Sequence, residues 1–412
     1  MIHYNRHKFD NGLTLLHHRD VNTRMVALNL LYDVGSRDES PNRTGLAHLN
    51  EHLMFTGSKH AETFDEPMQA AGGEANAWTN VDMTNYYEVL PAHNVELAFW
   101  LEADRLQNLT LSPSSVELQK KVVVEEFKQR SLNTPYGDIS HLISDLCYKV
   151  HPYRWPVLGL VPEHISECTR DEIVEFRQKH YAVNRLVMCV SGNIEWEKAL
   201  ELTDKWFGDI APVDLPPRNL PQEPMQTEYR EMRVHRDVPS NVIYRNYRMC
   251  SVRDKEYPIY DLLSDVLANG KSARFYRNVI LPSGKFIDLD ASVGSTVDKG
   301  LFYVKAKLKN GVDPNEAQQL IDDELQKLIT EGVSQYELTK YTNKYYANDL
   351  LSTMGFADKS AKLCKYELIG KLDEMNSEID IYRSVTPEQI VETAKQLFVP
   401  QKCSTLFYGP DF

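Results

Sequence analysis

A proline-rich segment near the middle of the chain most strongly limits how its 412 residues can fold. Between Gly192 and Arg230, prolines recur too closely for an α-helix or a central β-strand, because proline lacks the backbone N–H group and clashes with the preceding helical turn. These prolines are Pro212, Pro216, Pro217, Pro221 and Pro224. We therefore predict a linker at 212–226 that separates an N-terminal domain, 1–211, from a C-terminal domain, 227–412.

The two halves contain a repeat at an offset of 217 residues. The sequence HRDV begins at His18 and again at His235, and Asn29 falls on Asn246 in the same register. Such a match at one offset is typical of an internal repeat, and repeated segments form the same structural unit. We expect two domains that derive from one ancestral fold.

Hydrophobic periodicity predicts strands and helices in both halves. Short runs rich in β-branched and aromatic residues predict strands at 26–34, 84–89, 186–190, 242–247 and 301–307. Longer runs with helical spacing predict helices at 45–55, 95–106, 114–130, 170–179, 314–329, 333–350 and 387–397. The fold class is therefore α+β: two homologous α/β-sandwich domains, each an antiparallel-rich sheet with helices packed on one face.

The net charge of −13 excludes several classes of partner. It repels phosphate groups and anionic lipid, and no local basic patch offsets it, so we predict neither nucleic-acid binding nor membrane binding. The chain shows no export signal and no apolar run of membrane-spanning length, which favours a soluble cytoplasmic protein. Its six cysteines are widely scattered, as expected for buried free thiols rather than a disulfide framework.

The segment TGLAHLNEHLMF carries the clearest chemical signal. His48 and His52 are four residues apart in a helical context, so both imidazoles project from one face within reach of one metal ion. Glu51 stands beside His52, which makes the sequence H-x-x-E-H, the inverse of the H-E-x-x-H zinc motif. These three residues predict a zinc site with an adjacent carboxylate.

A catalytic zinc site needs a third protein ligand and one open position. The segment KKVVVEEF offers Glu125 and Glu126 on a second predicted helix with an apolar face. Neighbouring residues on a helix diverge by about 100°, so only one of the two can point towards the histidines. Spacing alone does not decide which.

This set of side chains suits the hydrolysis of amide bonds. Two neutral imidazoles and one carboxylate leave bound zinc cationic enough to lower the pKa of a bound water molecule towards about 7. Glu51 can take the proton from that water and pass it to the leaving amine. Donors near the zinc would stabilise the oxyanion, and we include Tyr86 among them.

The chain resembles the pitrilysin-type zinc peptidases, whose members include insulin-degrading enzyme, short bacterial proteins and the catalytic subunit of the mitochondrial processing peptidase. The resemblance runs through the whole chain, and the segments that carry it are DNGLTLLHHRD, TGLAHLNEHLMFTGS, AAGGEANAWTNVDMTNYYEVLP, KKVVVEEFKQ, HPYRWPVLG and YAVNRLVMCVSGN. It implies a processing-peptidase-like metallohydrolase fold and a zinc endopeptidase that encloses peptides or unfolded segments in a chamber.

The resemblance also implies roles for individual residues. It assigns one zinc ion per chain to His48, His52 and Glu126, and makes Glu51 the base. It places Asn76 and Ala77 beside the substrate, on a strand that we expect to accept a peptide by β-augmentation. Where the family often has a further glutamate, seven residues before the zinc glutamate, this chain has Gln119.

The second half departs further from the family pattern. Many members carry an arginine and a tyrosine there that hold the substrate carbonyl, but alignment puts those roles on Ile280 and Ile287, which cannot donate side-chain hydrogen bonds. At the offset of 217, His48 and His52 fall on Asp265 and Asn269, so the second half has no zinc motif.

These departures predict a catalytic subunit whose homologous partner supplies the arginine and tyrosine. The rival hypothesis is a homodimer that uses Arg274, Tyr276 or Arg277 instead. Two non-catalytic alternatives are a scaffold or assembly subunit of the same fold and a peptide-binding subunit with structural zinc. The presence of His48, Glu51, His52 and Glu126 together argues against both, since neither needs a base beside an open site.

Overall fold

The computed structural model describes residues 1–215 and 217–412, so Pro216 of the predicted linker lies outside the described residues. The strands are β1 Asn5–Lys8, β2 Thr14–Arg19, β3 Met25–Tyr32, β4 Glu74–Thr79, β5 Thr84–Pro91, β6 Leu186–Gly192, β7 Arg230–His235, β8 Val242–Arg248, β9 Phe286–Val293, β10 Leu301–Leu308 and β11 Cys403–Gly409. The strands predicted from periodicity correspond to β3, β5, β6, β8 and β10.

The helices include all seven that periodicity predicts and several that it does not. They are α1 Leu46–Leu53, α2 Asp65–Ala70, α3 Val95–Asn108, α4 Pro113–Phe127, α5 Ile139–Cys147, α6 Glu163–Ser166, α7 Arg170–His180, α8 Trp196–Phe207, α9 Tyr257–Ala268, α10 Leu281–Ser283, α11 Pro314–Glu331, α12 Gln335–Ser352, α13 Phe356–Leu368, α14 Glu378–Ser384 and α15 Pro387–Leu397. Helices α5, α8, α9 and α13 are the longest that periodicity missed.

The two sheets share the same arrangement of five strands, and the first sheet has β1 as a sixth strand at its edge. The first has the order β1-β2-β6-β3-β5-β4 and the second the order β7-β11-β8-β10-β9. In each sheet one pair is parallel, β2 with β6 and β7 with β11, and the other neighbours are antiparallel. Strands β3 and β8 begin at Met25 and Val242, which are 217 residues apart. This shared topology supports the repeat, and the α+β class is confirmed.

The chain forms two compact units that are not contiguous in sequence. Unit 1 contains 1–130, 155–221 and 350–375, and unit 2 contains 131–154, 222–349 and 376–412. The predicted domains, 1–211 and 227–412, therefore differ from the structure in two segments: α5 lies in unit 2 and α13 in unit 1. Each of these helices packs on the sheet of the unit formed mainly by the other half of the chain.

These two helices also change the expected arrangement of layers. In β3, Val26, Leu28 and Leu30 face the main core of unit 1, while Ala27 and Leu31 are equally buried on the opposite face, where α13 packs. In unit 2, α5 contacts β11 and β8. Helices thus cover both faces of the central strands rather than one face, because strands that are apolar on both sides must be buried on both sides.

Candidate functional site

Helix α1 of unit 1 carries the H-x-x-E-H sequence, and its start is held by two neighbouring features. Gly45, just before the helix, has φ of 91°, and a Cβ atom there would lie 2.9 Å from Ile165 Cδ1. The buried Glu39 carboxylate accepts hydrogen bonds from the backbone N–H groups of Gly45 and Ala47, both at 2.8 Å. These bonds satisfy donors that the first helical turn leaves unpaired. The start of α1 is therefore fixed.

The structure brings His48, His52 and Glu126 together. Helix α1 presents the two imidazoles one turn apart, and α4 packs beside it. Glu126 Oε2 lies 3.7 Å from His48 Nε2 and 3.4 Å from His52 Nε2. These are the only three described residues of the metal-ligating types whose ligand atoms converge in this way, all within 4.8 Å of one another.

This geometry fits a four-coordinate metal ion. Ligand atoms at about 2.0–2.1 Å from zinc and at tetrahedral angles are separated by about 3.3 Å, close to the two distances observed. The side chains of His48, His52 and Glu126 are 9%, 24% and 18% exposed, so the group is mostly buried but still in contact with solvent. Two histidines and one carboxylate could therefore hold a metal ion and leave one position open.

Helix α4 decides between the two adjacent glutamates. Val123 and Phe127 of its apolar face are buried in unit 1, and Glu126 lies next to that face. The Glu125 side chain is 71% exposed and pairs with Lys128 at 2.7 Å. Arg130 lies one turn after Glu126 and its Nη2 atom is 2.9 Å from Glu126 Oε1, which leaves Oε2 for the histidines.

The electrostatics of the group shift His48 and Glu126, but not His52, towards their metal-binding forms. Burial, together with the neighbouring His52, lowers the pKa of His48 to about 4. Burial would also lower the pKa of His52, but the hydrogen bond to Glu126 and the charges of Glu126 and Glu51 outweigh it and raise that pKa. The same hydrogen bond lowers the pKa of Glu126 despite its partial burial. An ionised Glu126 thus faces a neutral His48.

Glu51 lies on the same helix and does not join the three ligand groups. Burial raises the pKa of its carboxyl, and a hydrogen bond donated by the Thr79 hydroxyl partly opposes that rise. A carboxylate with a raised pKa close to a metal position can accept and return a proton. The site therefore contains a candidate base as well as candidate ligands.

The predicted substrate-binding residues have two different fates. Asn76 and Ala77 lie in β4, the last strand of its sheet, which pairs on one side with β5. Asn76 is exposed, and its side-chain oxygen accepts a hydrogen bond from Ala77 N at 2.8 Å. The prediction for Tyr86 is wrong, because its ring is 0% exposed and Arg105 lies 4.5 Å from the ring centroid. Packing inside unit 1 keeps this tyrosine away from any substrate.

Unit 2 places different side chains at the corresponding positions. Asn269 donates a hydrogen bond to Asp265 Oδ1 at 2.5 Å, and the Lys344 ammonium donates to the Asn269 side-chain oxygen. Arg274, one candidate in the homodimer hypothesis, is bound by Glu337 at 2.8 Å. Ile287 of β9 is 52% exposed and has no polar atom to offer.

Two family models match the chain. Residues 14–149 match the model described as insulinase, peptidase family M16, and residues 167–345 match the peptidase M16 inactive domain. The chain belongs to peptidase family M16. The M16 peptidase model that covers α1 and α4 thus includes the whole candidate metal site, whereas the inactive-domain model covers Asp265 and Asn269.

Relatives of this M16 chain are named as zinc proteases or processing peptidases. The zinc protease PqqE of Helicobacter pylori is 25% identical over 94% of this chain and 88% of its own length. The probable mitochondrial-processing peptidase subunit beta of Schizosaccharomyces pombe is 30% identical over 49% of this chain and 44% of its own length. A crystal structure of a protease from Helicobacter pylori has the same fold, with a TM-score of 0.92, 24% identity and coverage of 99% and 100%.

The sequence reasoning missed two residues that shape the site. Glu39 is six residues before Gly45, and no capping pattern in the sequence connects it to α1. Thr79 is separated from Glu51 by a turn, a helix and a strand.

Among the described helices, none combines the length and apolar character needed to cross a bilayer.

Proposed function

We propose that this M16 chain is a zinc-dependent endopeptidase that hydrolyses peptides or unfolded segments. The observation that carries the proposal is the convergence of His48, His52 and Glu126 beside Glu51 in one unit. A scaffold subunit, the alternative function, has no use for three convergent ligand groups and a base. The match to an inactive-domain model does not count against the proposal, because that match lies outside the motif.

The side chains divide the chemistry between them. A zinc ion bound by the three ligands would polarise the scissile carbonyl and make the attacking water more acidic. His48 and His52 are held by α1 and Glu126 by α4, so the two helices together fix the ligand geometry. Glu51 takes the proton from the attacking water and transfers it to the nitrogen of the leaving amine.

Strand β4 offers a site for the peptide backbone. Its outer edge has no strand partner among the described residues, and an extended peptide can pair there through main-chain hydrogen bonds. Such pairing is largely independent of the peptide's side chains. Asn76 and Ala77 are the positions of β4 that we propose for substrate binding. Enclosure of the substrate in a chamber stays a prediction.

We propose further that a homologous subunit completes the active site. Ile280 and Ile287 lack side-chain donors, and Arg274 is already paired with Glu337. The chain is similar to a protein named as a processing-peptidase beta subunit, and this similarity supports the proposal that the chain acts as one of two subunits. In the rival homodimer, the exposed Arg277 becomes the strongest of the three predicted donors, since Tyr276 is half-buried.

Hydrolysis of a quenched fluorogenic peptide by the zinc-loaded chain tests the enzymatic proposal. With the partner subunit present if one is needed, wild type and Glu125→Gln should both cleave, while Glu51→Gln should bind about one zinc ion per chain and lose activity by about 100- to 10,000-fold. Glu125 is the matched control because it is the exposed neighbour of a ligand. Equal activity of wild type and Glu51→Gln would contradict the proposal.

The subunit hypothesis needs the same assay with a second chain present. If wild type binds zinc yet cleaves only after a homologous chain that carries the arginine and tyrosine is added, the two-subunit form is supported. Full activity of the purified chain alone would exclude that form. Loss of this activity in Arg277→Ala would then favour the homodimer.

A further inference from the structure

The end of strand β4 touches the candidate base. Thr79 is the last residue of β4, and its hydroxyl donates a hydrogen bond to Glu51 Oε2. No second hydrogen bond to the Glu51 carboxylate occurs in the part of the chain that the structure describes. An ionised carboxylate only accepts hydrogen bonds, so the Thr79 proton is the one group that fixes its rotation.

The neighbours of Thr79 leave its proton no better acceptor. Thr79 pairs with Thr84 in the last rung of the β4–β5 ladder, and the two hydroxyl oxygens are 3.4 Å apart. Thr84 donates its own proton to the Val34 carbonyl at 2.9 Å. The contact between the two threonines is long for a hydroxyl hydrogen bond, whereas Glu51 is much closer and charged. The Thr79 proton therefore points at Glu51.

Side chains along β4 alternate between an exposed and a half-buried face, and Thr79 belongs to the half-buried face. Glu74, Asn76 and Trp78 are exposed, while Ala75, Ala77 and Thr79 are half-buried on the face that meets α1. The strand proposed to pair with the peptide is thus joined to the base by one side-chain hydrogen bond. Any shift of β4 relative to α1 would move or break that bond.

We propose that Thr79 is a positioning residue, which holds one oxygen of Glu51 so that the other faces the reacting water and which ties the base to the strand that receives the peptide. This inference rests on the proposed peptidase function. Its effect belongs to the chemical step, because Thr79 acts through Glu51 and supplies no contact that distinguishes bound from free peptide. A loss of Thr79 should lower kcat and leave KM nearly unchanged.

The first experiment compares Thr79→Val, Thr79→Ser and the control Thr23→Val in the zinc-loaded chain, with its partner if one is needed. Valine keeps the shape of threonine and removes the hydroxyl, whereas serine keeps the donor. Thr23 is a half-buried threonine of the same unit whose hydroxyl accepts a hydrogen bond from Met25 N. We expect kcat to fall about 10- to 100-fold for Thr79→Val, with KM and zinc content unchanged. Thr79→Ser should recover most of this loss, and Thr23→Val should match wild type.

A second measurement does not depend on turnover. Calorimetry can measure the affinity of a protected dipeptide hydroxamate for the zinc-loaded chain. The hydroxamate group would hydrogen-bond Glu51, so its affinity reports on the position of that carboxylate. Thr79→Val should weaken binding in the wild-type background and have no further effect in Glu51→Gln, as expected for residues that act together.

The outcomes separate this inference from the proposed function. Equal kcat values for Thr79→Val and wild type, or failure of Thr79→Ser to recover activity, would overturn the role of Thr79 while the peptidase stands. An additive effect of the two substitutions on hydroxamate affinity would do the same. A wild type that cleaves no peptide with or without a partner would overturn the proposed function, and the hydroxamate cycle would still test the contact.

Discussion

Units 1 and 2 share the arrangement of five strands but place different side chains at the corresponding helices. In unit 1, α1 and α4 bring together two imidazoles and a carboxylate. In unit 2, α9 and α12 follow the equivalent strands, and there Lys344 of α12 donates hydrogen bonds to the side-chain and backbone oxygens of Asn269. One unit can take up a cation, whereas the other contains its own.

This difference shows that the fold supplies the position and the side chains supply the chemistry. The equivalent strands set where the two helices lie, and the side chains on and beside those helices decide whether a metal can bind. The four predictions below test or extend the contrast between the units, beginning with the largest expected effect.

Loss of a ligand in unit 1 should abolish metal binding, and a change at the equivalent position of unit 2 should not. We expect His52→Asn to reduce bound zinc from about one ion per chain to near zero and activity by about 1,000-fold or more, because two ligands hold zinc poorly. Asn269→Ala should keep both the bound zinc and the activity. Atomic emission analysis of dialysed protein measures the zinc. Zinc retained in His52→Asn, or lost in Asn269→Ala, would break the comparison.

Unit 1 contains a buried ion pair, whereas the ion pair compared with it in unit 2 is more exposed. Arg105 is 1% exposed and binds Glu102, also buried, through Nε at 2.8 Å. Arg245 of unit 2 pairs with Asp322, whose side chain is 50% exposed. Arg105→Met should lower the free energy of unfolding by about 3–5 kcal/mol, since it leaves a buried carboxylate without its partner. Arg245→Met should cost about 1 kcal/mol. Urea denaturation of the metal-free chains compares them, and equal costs would contradict this prediction.

Asp265 of unit 2, which corresponds to His48, should destabilise the folded chain at neutral pH. Burial, with the nearby Asp261, raises the pKa of Asp265 from 3.8 to about 6. The folded state then binds more protons than the unfolded state between these values, so the stability of wild type falls as pH rises through this window. Asp265→Asn removes that loss and should stabilise the chain by about 1–3 kcal/mol at pH 7 and not at pH 3.5. Denaturation of wild type and Asp265→Asn at both pH values measures this difference in stability. A difference that does not depend on pH would show that ionisation of Asp265 is not its cause.

The smallest effect concerns Gln119, the position at which the family resemblance leads us to expect glutamate. The Gln119 side chain is one of the groups that raise the pKa of His52. In Gln119→Glu a carboxylate at this position would accept a stronger hydrogen bond from the imidazole and make it a better ligand, so we expect zinc affinity to rise about 3- to 10-fold. Leu118→Glu is the matched control, since residue 118 is 59% exposed on the same helix. Competition with a chelator measures both. An equal gain in the control would assign the effect to net charge alone.

Several features followed from local sequence. His48 and His52 share a face because four residues make about one helical turn, whatever the rest of the chain does. The strands β3, β5, β6, β8 and β10 followed from apolar and β-branched runs, and the repeat at 217 residues anticipated two sheets that share an arrangement of five strands. The expected zinc, peptide substrates, partner subunit and cytoplasmic location stay predictions from the sequence and its resemblance.

Other features needed the folded chain. Spacing could not choose between Glu125 and Glu126, because the choice depends on which face of α4 packs into the core. Tyr86 looked like a donor near the metal but is buried beneath Arg105, and the contact of Thr79 with Glu51 joins residues 28 positions apart. The placement of α5 and α13 depends on contacts between distant segments. Local sequence fixes the period of a helix or strand, whereas burial and long-range packing decide which side chains meet, and that is a property of the tertiary structure.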